Sequence, residues 1–170
     1  MRPQRPRRLR LMLGAALVWA GLALPLPAEV MGQFRDWQLI RLPDGCRIAS
    51  VLVSPASGAV LLEAVLMPAD QPESVLIALR VPVGAFLPAG ISYRHVDQGR
   101  QAIGLEWLSC DTTMCTAAGQ LSAEALARLQ RDRSVFVGFR PTQDARPVNL
   151  ELSLMGFTAA HRALASCVPG

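Results

Sequence analysis

The chain has 170 residues, 51% of them hydrophobic and 5% aromatic, with 17 basic residues against 13 acidic ones. That length and apolar fraction suit a single domain with a real core, and they exclude a large multi-domain enzyme, a collagen-like repeat, an intrinsically disordered chain and a polytopic membrane protein. Every basic residue is arginine, and five of them (Arg2, Arg5, Arg7, Arg8 and Arg10) stand in the first ten positions, so the chain without residues 1–28 carries 12 positive against 13 negative charges.

The basic tip runs directly into Leu11–Leu24, 14 uncharged residues, and then into Leu-Pro-Leu-Pro-Ala. A positive segment, an apolar stretch of that length and small residues beyond it form a secretory signal peptide over residues 1–28, and the apolar stretch argues against a nucleic-acid-binding arm. Cleavage is expected after Ala28 with Leu26 at the −3 position, the alternative being after Ala23. An uncleaved membrane anchor is the competing reading, but Pro25 and Pro27 break the last turn of a helix already short for a bilayer. The first cysteine is Cys46, so no lipid-modified mature N-terminus is expected.

Residues 29–170 read as one β-sandwich domain. Short runs rich in aliphatic and β-branched residues recur between Pro, Gly and Asp: Phe34–Arg41, Cys46–Val53, Ala59–Met67, Ser74–Val81, Ile91–Val96, Gln101–Ser109, Ser134–Arg140 and Pro147–Leu154. Turn residues at this spacing predict an all-β fold. Alternation is clearest in the last run, where Val148, Leu150, Leu152 and Leu154 fall on one face and Asn149, Glu151 and Ser153 on the other. Ala59–Met67 is apolar on both faces apart from Glu63, which predicts a central strand. Two short helices are readable inside this pattern. Ser122 is a good N-cap for Ser122–Arg131, with Glu124 in the first turn and Leu121 and Leu126 placed for a hydrophobic staple. Phe157–Ser166 is alanine-rich and free of Gly and Pro.

Four cysteines in an exported chain read first as two disulfides, with three possible connectivities. Cys110 and Cys115 flank Asp111–Met114, a polar tight loop between two strand-like runs, and a bridge can cross such a hairpin. That would leave Cys46 with Cys167, joining the start of the domain to its tail. Neither His95 nor His161 stands at a ligand spacing from a cysteine pair and CxxC is absent, so no metal or thiol–disulfide redox site is predicted. No GxSxG, HExxH, Gly-rich phosphate loop or GxGxxG occurs, and no close carboxylate pair suggests glycoside hydrolysis. His95 reads as a partly buried strand residue and His161 as a residue on a helix surface. No catalytic, cofactor-binding or metal-binding residue and no cofactor is therefore expected, and no nucleic acid partner.

The most unusual segment is Val81–Gly90, almost wholly apolar, uncharged, with two prolines and two glycines. It can plug one end of the sandwich with Phe86 and Leu87, or it can offer Val83, Phe86 and Leu87 as an apolar surface to a partner. Together with its neighbours it carries a resemblance. Ile77–Gly84 followed by Leu87–Gly90, Asp36-Trp37 near the mature start, the Cys110/Cys115 pair after Trp107, and Ser153–Ala160 resemble, in that order, the invasion-associated locus B family of exported bacterial proteins. The likeness runs from about Gly32 to Leu164. It implies an immunoglobulin-like β-sandwich exported to the envelope of a Gram-negative bacterium, in a family named for host-cell invasion and without assigned catalytic residues. Relatives usually carry a cysteine near Arg41 paired with the one corresponding to Cys46; here that cysteine is absent and Cys167 stands at the tail instead.

The function these observations favour is non-enzymatic: a periplasmic or secreted protein acting by surface binding on an unknown protein or envelope partner, in adhesion, invasion or envelope maintenance. Membrane contact is expected only through the leader, if it is retained. The alternatives are a membrane-anchored partner subunit with an uncleaved leader, and an enzyme that uses a cysteine with His95.

Overall fold

A computed structural model describes residues 28–69, 74–98 and 101–167, so the predicted signal peptide lies almost wholly outside the described residues. Ten strands form the body of the domain: β1 (Glu29–Phe34), β2 (Trp37–Leu42), β3 (Gly45–Val53), β4 (Val60–Pro68), β5 (Val75–Pro82), β6 (Ile91–His95), β7 (Ile103–Cys110), β8 (Met114–Leu121), β9 (Ser134–Phe139) and β10 (Val148–Ser153). Two helices accompany them, α1 (Ala123–Leu129) between β8 and β9 and α2 (Phe157–Ala165) after β10. The all-β class with two short helices holds.

All ten strands belong to one antiparallel sheet in the order β1-β2-β3-β4-β5-β8-β7-β6-β9-β10. The two layers suggested by an immunoglobulin-like sandwich are therefore successive parts of a single curled sheet. Its concave face closes on one core, in which Ile48, Leu62, Leu66 and Leu79 from one arm meet Tyr93, Val137 and Leu152 from the other. The helices cap the opening by contributing Leu129, Phe157, Ala160 and Leu164 to the same core. Ser122 caps α1 as expected, its hydroxyl accepting from the Ala125 N–H at 3.1 Å, and α2 packs across β1, β2 and β3.

Most of the predicted strand Phe34–Arg41 is β2, but its first three residues are the end of β1 and a turn, so the domain opens on a hairpin whose first strand, Glu29–Phe34, was not predicted. Chain reversal at Arg35-Asp36 separates β1 from β2, with Arg35 at φ 55°. No Gly, Pro or Asn marks that turn, because distant residues hold it. The Asp36 N–H donates to the Met155 carbonyl at 3.3 Å and the Ser153 hydroxyl donates to the Asp36 carboxylate at 2.5 Å. Next to the turn, fully buried Trp37 donates its indole N–H to the Ser153 carbonyl at 3.0 Å and meets the Phe157 ring edge-on at 5.0 Å.

Strand β4 is central, as its two-sided apolar pattern predicts. Leu62, Ala64 and Leu66 enter the main core, while Val65 faces the other way. On that second face the register aligns Ala49, Val65, Ala78 and Ala118 across β3, β4, β5 and β8. Ala49, Val65 and Ala78 are buried there, with Ile40, Met67 and Ala118 packed around them. Small side chains in one transverse row let longer neighbours close over them, so this face is dry without a covering layer among the described elements.

Candidate functional site

Val81–Gly90 lies along the β7–β8 hairpin and is fastened to it and to β9 by backbone hydrogen bonds. The Val83 N–H donates to the Thr113 carbonyl at 2.9 Å, and the Phe86 N–H to the Arg140 carbonyl at 2.9 Å. From the hairpin side, the Trp107 indole donates to the Leu87 carbonyl at 3.0 Å. Satisfying these polar groups fixes a segment that, after Val81 and Pro82 at the end of β5, has no regular structure beyond a single 3-10 turn at Leu87–Ala89. The plug expected of Phe86 and Leu87 does not form. Ala85 packs against the core instead, Phe86 is half-buried beneath the Arg140 guanidinium at 5.7 Å, and Val83 and Leu87 turn outward. The lateral hydrogen bonds account for this: they hold the segment along the hairpin rather than across the open end of the sheet.

Sequence patterning missed an exposed apolar residue on the neighbouring hairpin. Between β7 and β8 the register shifts from Trp107↔Ala117 to Ser109↔Thr116, so Leu108 is the extra residue of a β-bulge. Without a cross-strand partner its side chain is 66% exposed, the highest value among the large apolar residues described. A signal was present, since Trp107-Leu108 sets two large apolar residues side by side where strict alternation would put a polar one second. Val83, Leu87 and Leu108 thus stand exposed on two segments that are hydrogen-bonded to each other.

Cys110 and Cys115 stand opposite each other across the last rung of that hairpin and are bonded. Asp111 closes the turn beyond them. Its carboxylate accepts from the Thr113 N–H at 2.7 Å, the Met114 N–H at 2.8 Å and the Thr113 hydroxyl at 2.8 Å, while Arg80 bridges it to Glu63. The two backbone N–H groups, then the hydroxyl and last Arg80, hold the Asp111 pKa down to about 2, against a small opposing effect of desolvation. A folded-state pKa depressed in this way contributes stability that is complete above the ordinary carboxylate range and is lost as pH falls toward 2. Wild-type protein should therefore show a urea midpoint that drops between about pH 4 and pH 2, and Asp111→Asn a flatter acid limb over that window. Parallel pH profiles for the two proteins would contradict the assignment.

The other cysteine pair, Cys46–Cys167, is bonded across a separation of 121 residues and ties the end of α2 to the start of β3. With all four cysteines in disulfides, none is left as a nucleophile for His95 to activate. His95 itself is more enclosed than its strand position suggests, at 1% exposure. Its Nδ1 lies 2.5 Å from Asp132 Oδ2, beyond the end of α1, and its ring meets Tyr93 edge-on at 5.8 Å. That contact pins the α1–β9 connection to β6. Asp132→Ala leaves a buried imidazole nitrogen without its acceptor and should cost about 1–3 kcal/mol, read as a lower denaturant midpoint with an unchanged m-value.

His161 also departs from expectation. Rather than lying on an open helix surface it is half-buried, stacked on Phe157 at 6.3 Å and within 3.3 Å of the Gln130 amide. Desolvation lowers its pKa, so the imidazole favours its neutral form. Among the described residues no group of three or more His, Cys, Asp or Glu side chains is arranged to hold a metal ion, and no helix is long and apolar enough to cross a membrane.

Comparison with known proteins agrees with the resemblance drawn from the motifs. No curated protein matches the chain. Among solved structures, invasion associated protein B from Bartonella henselae superposes with a TM-score of 0.69 at 18% identity, covering 83% of this chain and 97% of that one. At that identity the likeness speaks for the fold. The Invasion associated locus B (IalB) protein family matches residues 41–165, spanning β3 to β10 and both helices, and the chain belongs to that family.

Proposed function

We propose that this protein works in the bacterial envelope or outside the cell as a non-enzymatic binding module. On this reading it engages a protein partner through the apolar surface of Val83, Leu87 and Leu108. One observation carries the reading. Three large apolar side chains are exposed at 53%, 38% and 66% on two segments that mutual hydrogen bonds and a disulfide hold rigid. Exposed apolar surface opposes solubility, and a rigid frame lowers the ordering cost of binding, so the combination favours an interface. Membership of a family of exported proteins and the absence of free thiols support an oxidising compartment, reached by way of the predicted leader.

The test places a photo-crosslinking residue at Leu108 in one strain and at Glu124 of α1 in another, with the protein expressed in its own host. Adducts are expected from Leu108 alone and should disappear when Val83→Asp and Leu87→Asp are added. Equal labelling from both positions, or adducts that survive the two aspartates, would remove this surface from consideration. N-terminal sequencing of the same material should begin at Glu29; an intact leader would favour the anchored reading instead.

A further inference from the structure

The free edge of β10 offers a second interface, made of different residues. Among the described residues the strand ends the sheet order and pairs only with β9. Ser153 stands opposite Ser134, and the Leu154 N–H donates to the Arg133 carbonyl at 2.8 Å. In an antiparallel pair that rung fixes the alternation, so Leu152, Leu150 and Val148 spend their backbone groups on β9. Ser153, Glu151 and Asn149 therefore direct their N–H and C=O groups outward. The Ser153 carbonyl already accepts from the Trp37 indole. At Glu151 and Asn149 no strand of the sheet lies beyond the edge.

Beside this edge runs a groove of about 520 Å³, whose lining includes Gln38, Ile40 and Val51 together with the carboxylates of Asp36, Glu63 and Glu151. No arginine among the described residues lines it, and the chain has no lysine. Arg80 offsets Glu63, and Ser134 donates to Glu151 at 2.6 Å, which leaves the groove acidic. We propose that the β10 edge takes up an extended peptide of another protein as an added strand, with an arginine or lysine of that peptide set against Glu151. Backbone hydrogen bonds at Glu151 and Asn149 would supply the pairing, and the carboxylates the preference for a basic sequence. A second copy of this chain fits poorly. Antiparallel β10–β10 pairing centred on Leu150, Glu151 or Leu152, the middle of the strand, sets the two Glu151 side chains directly opposite or diagonal to each other. The other free edge, β1, is blunted by a bulge between Val30 and Gly32.

The test uses the mature chain and three synthetic fluorescent ten-residue peptides of alternating threonine and valine. The first carries arginine at two threonine positions, the second glutamate at the same positions, and the third keeps the arginines with proline at its centre. By anisotropy the arginine peptide should bind at least tenfold more tightly than either of the others. Glu151→Lys should reverse the order of the first two, and Asn149→Pro, which removes an outward N–H without touching the β9 ladder, should weaken both. Should Asn149→Pro fail to fold, the arginine and proline peptides compared on the unaltered chain still decide. Equal affinity for the arginine and proline peptides would reduce the groove to a charge trap and overturn strand addition. A β10-mediated dimer seen by sedimentation, and lost on Asn149→Pro, would replace the foreign strand with a second copy. Val83, Leu87 and Leu108 stay unchanged throughout, so failure here leaves the crosslinking result at the other surface standing.

Discussion

Removing the Cys46–Cys167 bridge by replacing both cysteines with alanine is expected to destabilise the oxidised protein by about 4–5 kcal/mol, whereas the same change at Cys110 and Cys115 should cost about 2. The difference follows from the loops each bridge closes, with separations of 121 and 5 residues. A long cross-link removes more conformations from the unfolded chain, and this one spans nearly the whole domain. Cys167 directly follows α2, whose Phe157, Ala160 and Leu164 complete the core over β1, β2 and β3. The tether keeps that helix near its seat whenever the sheet opens. Urea titration of both double variants beside wild type gives the answer, the wild type repeated with dithiothreitol. Equal midpoint shifts for the two variants would show that loop length does not govern the effect.

How much of this was legible in the sequence depended on where the controlling contacts lie. From β3 onward the strands other than β8 were readable because Pro, Gly and Asp punctuate them and alternation is local, as Val148 to Leu154 shows; β8, Met114–Leu121, was given no bounds and figured only as a strand-like run beyond the Cys110–Cys115 loop. Helix α1 announced itself through Ser122, whose capping bond reaches only three residues ahead. The β1–β2 turn was missed, since Arg35-Asp36 offers a single Asp with no Gly, Pro or Asn beside it, and the turn is held from Ser153 and Met155. Sheet order was equally hidden. The placement of β8 beside β5, and of β9 beside β6, is a pairing between segments far apart in the chain, which no local pattern encodes. At the candidate surface, the apolar character of Val81–Gly90 was plain, but which of its side chains turn outward was decided by hydrogen bonds from Thr113, Trp107 and Arg140. The partner of His95 went unseen for the same reason, because Asp132 is 37 residues away in the connection between α1 and β9.

Gly156→Ala should be among the most damaging single substitutions in the molecule, with an expected loss of about 3–5 kcal/mol. Two independent effects combine there. Gly156 caps α2 at φ 92°, a backbone conformation that side chains other than glycine's rarely adopt. A Cβ added to it would stand 1.9 Å from the Phe34 carbonyl oxygen and 2.6 Å from the carbonyl carbon, both atoms of the β1–β2 turn. Backbone cannot swing aside as the tip of a flexible side chain can, so α2 or the turn must move. Either shift would disturb the Trp37–Phe157 contact and the Asp36–Met155 hydrogen bond beside it. Gly104→Ala supplies the control, since a Cβ at that strand position meets nothing within 4 Å and its change should stay within about 0.5 kcal/mol. Gly156→Asn separates the two causes. Asparagine tolerates positive φ better than alanine, yet it brings the same Cβ. If the collision dominates, asparagine will not rescue stability, and urea midpoints for both Gly156 variants will fall together far below that of Gly104→Ala. An asparagine variant close to wild type would instead assign the cost to backbone conformation and show that the turn can yield.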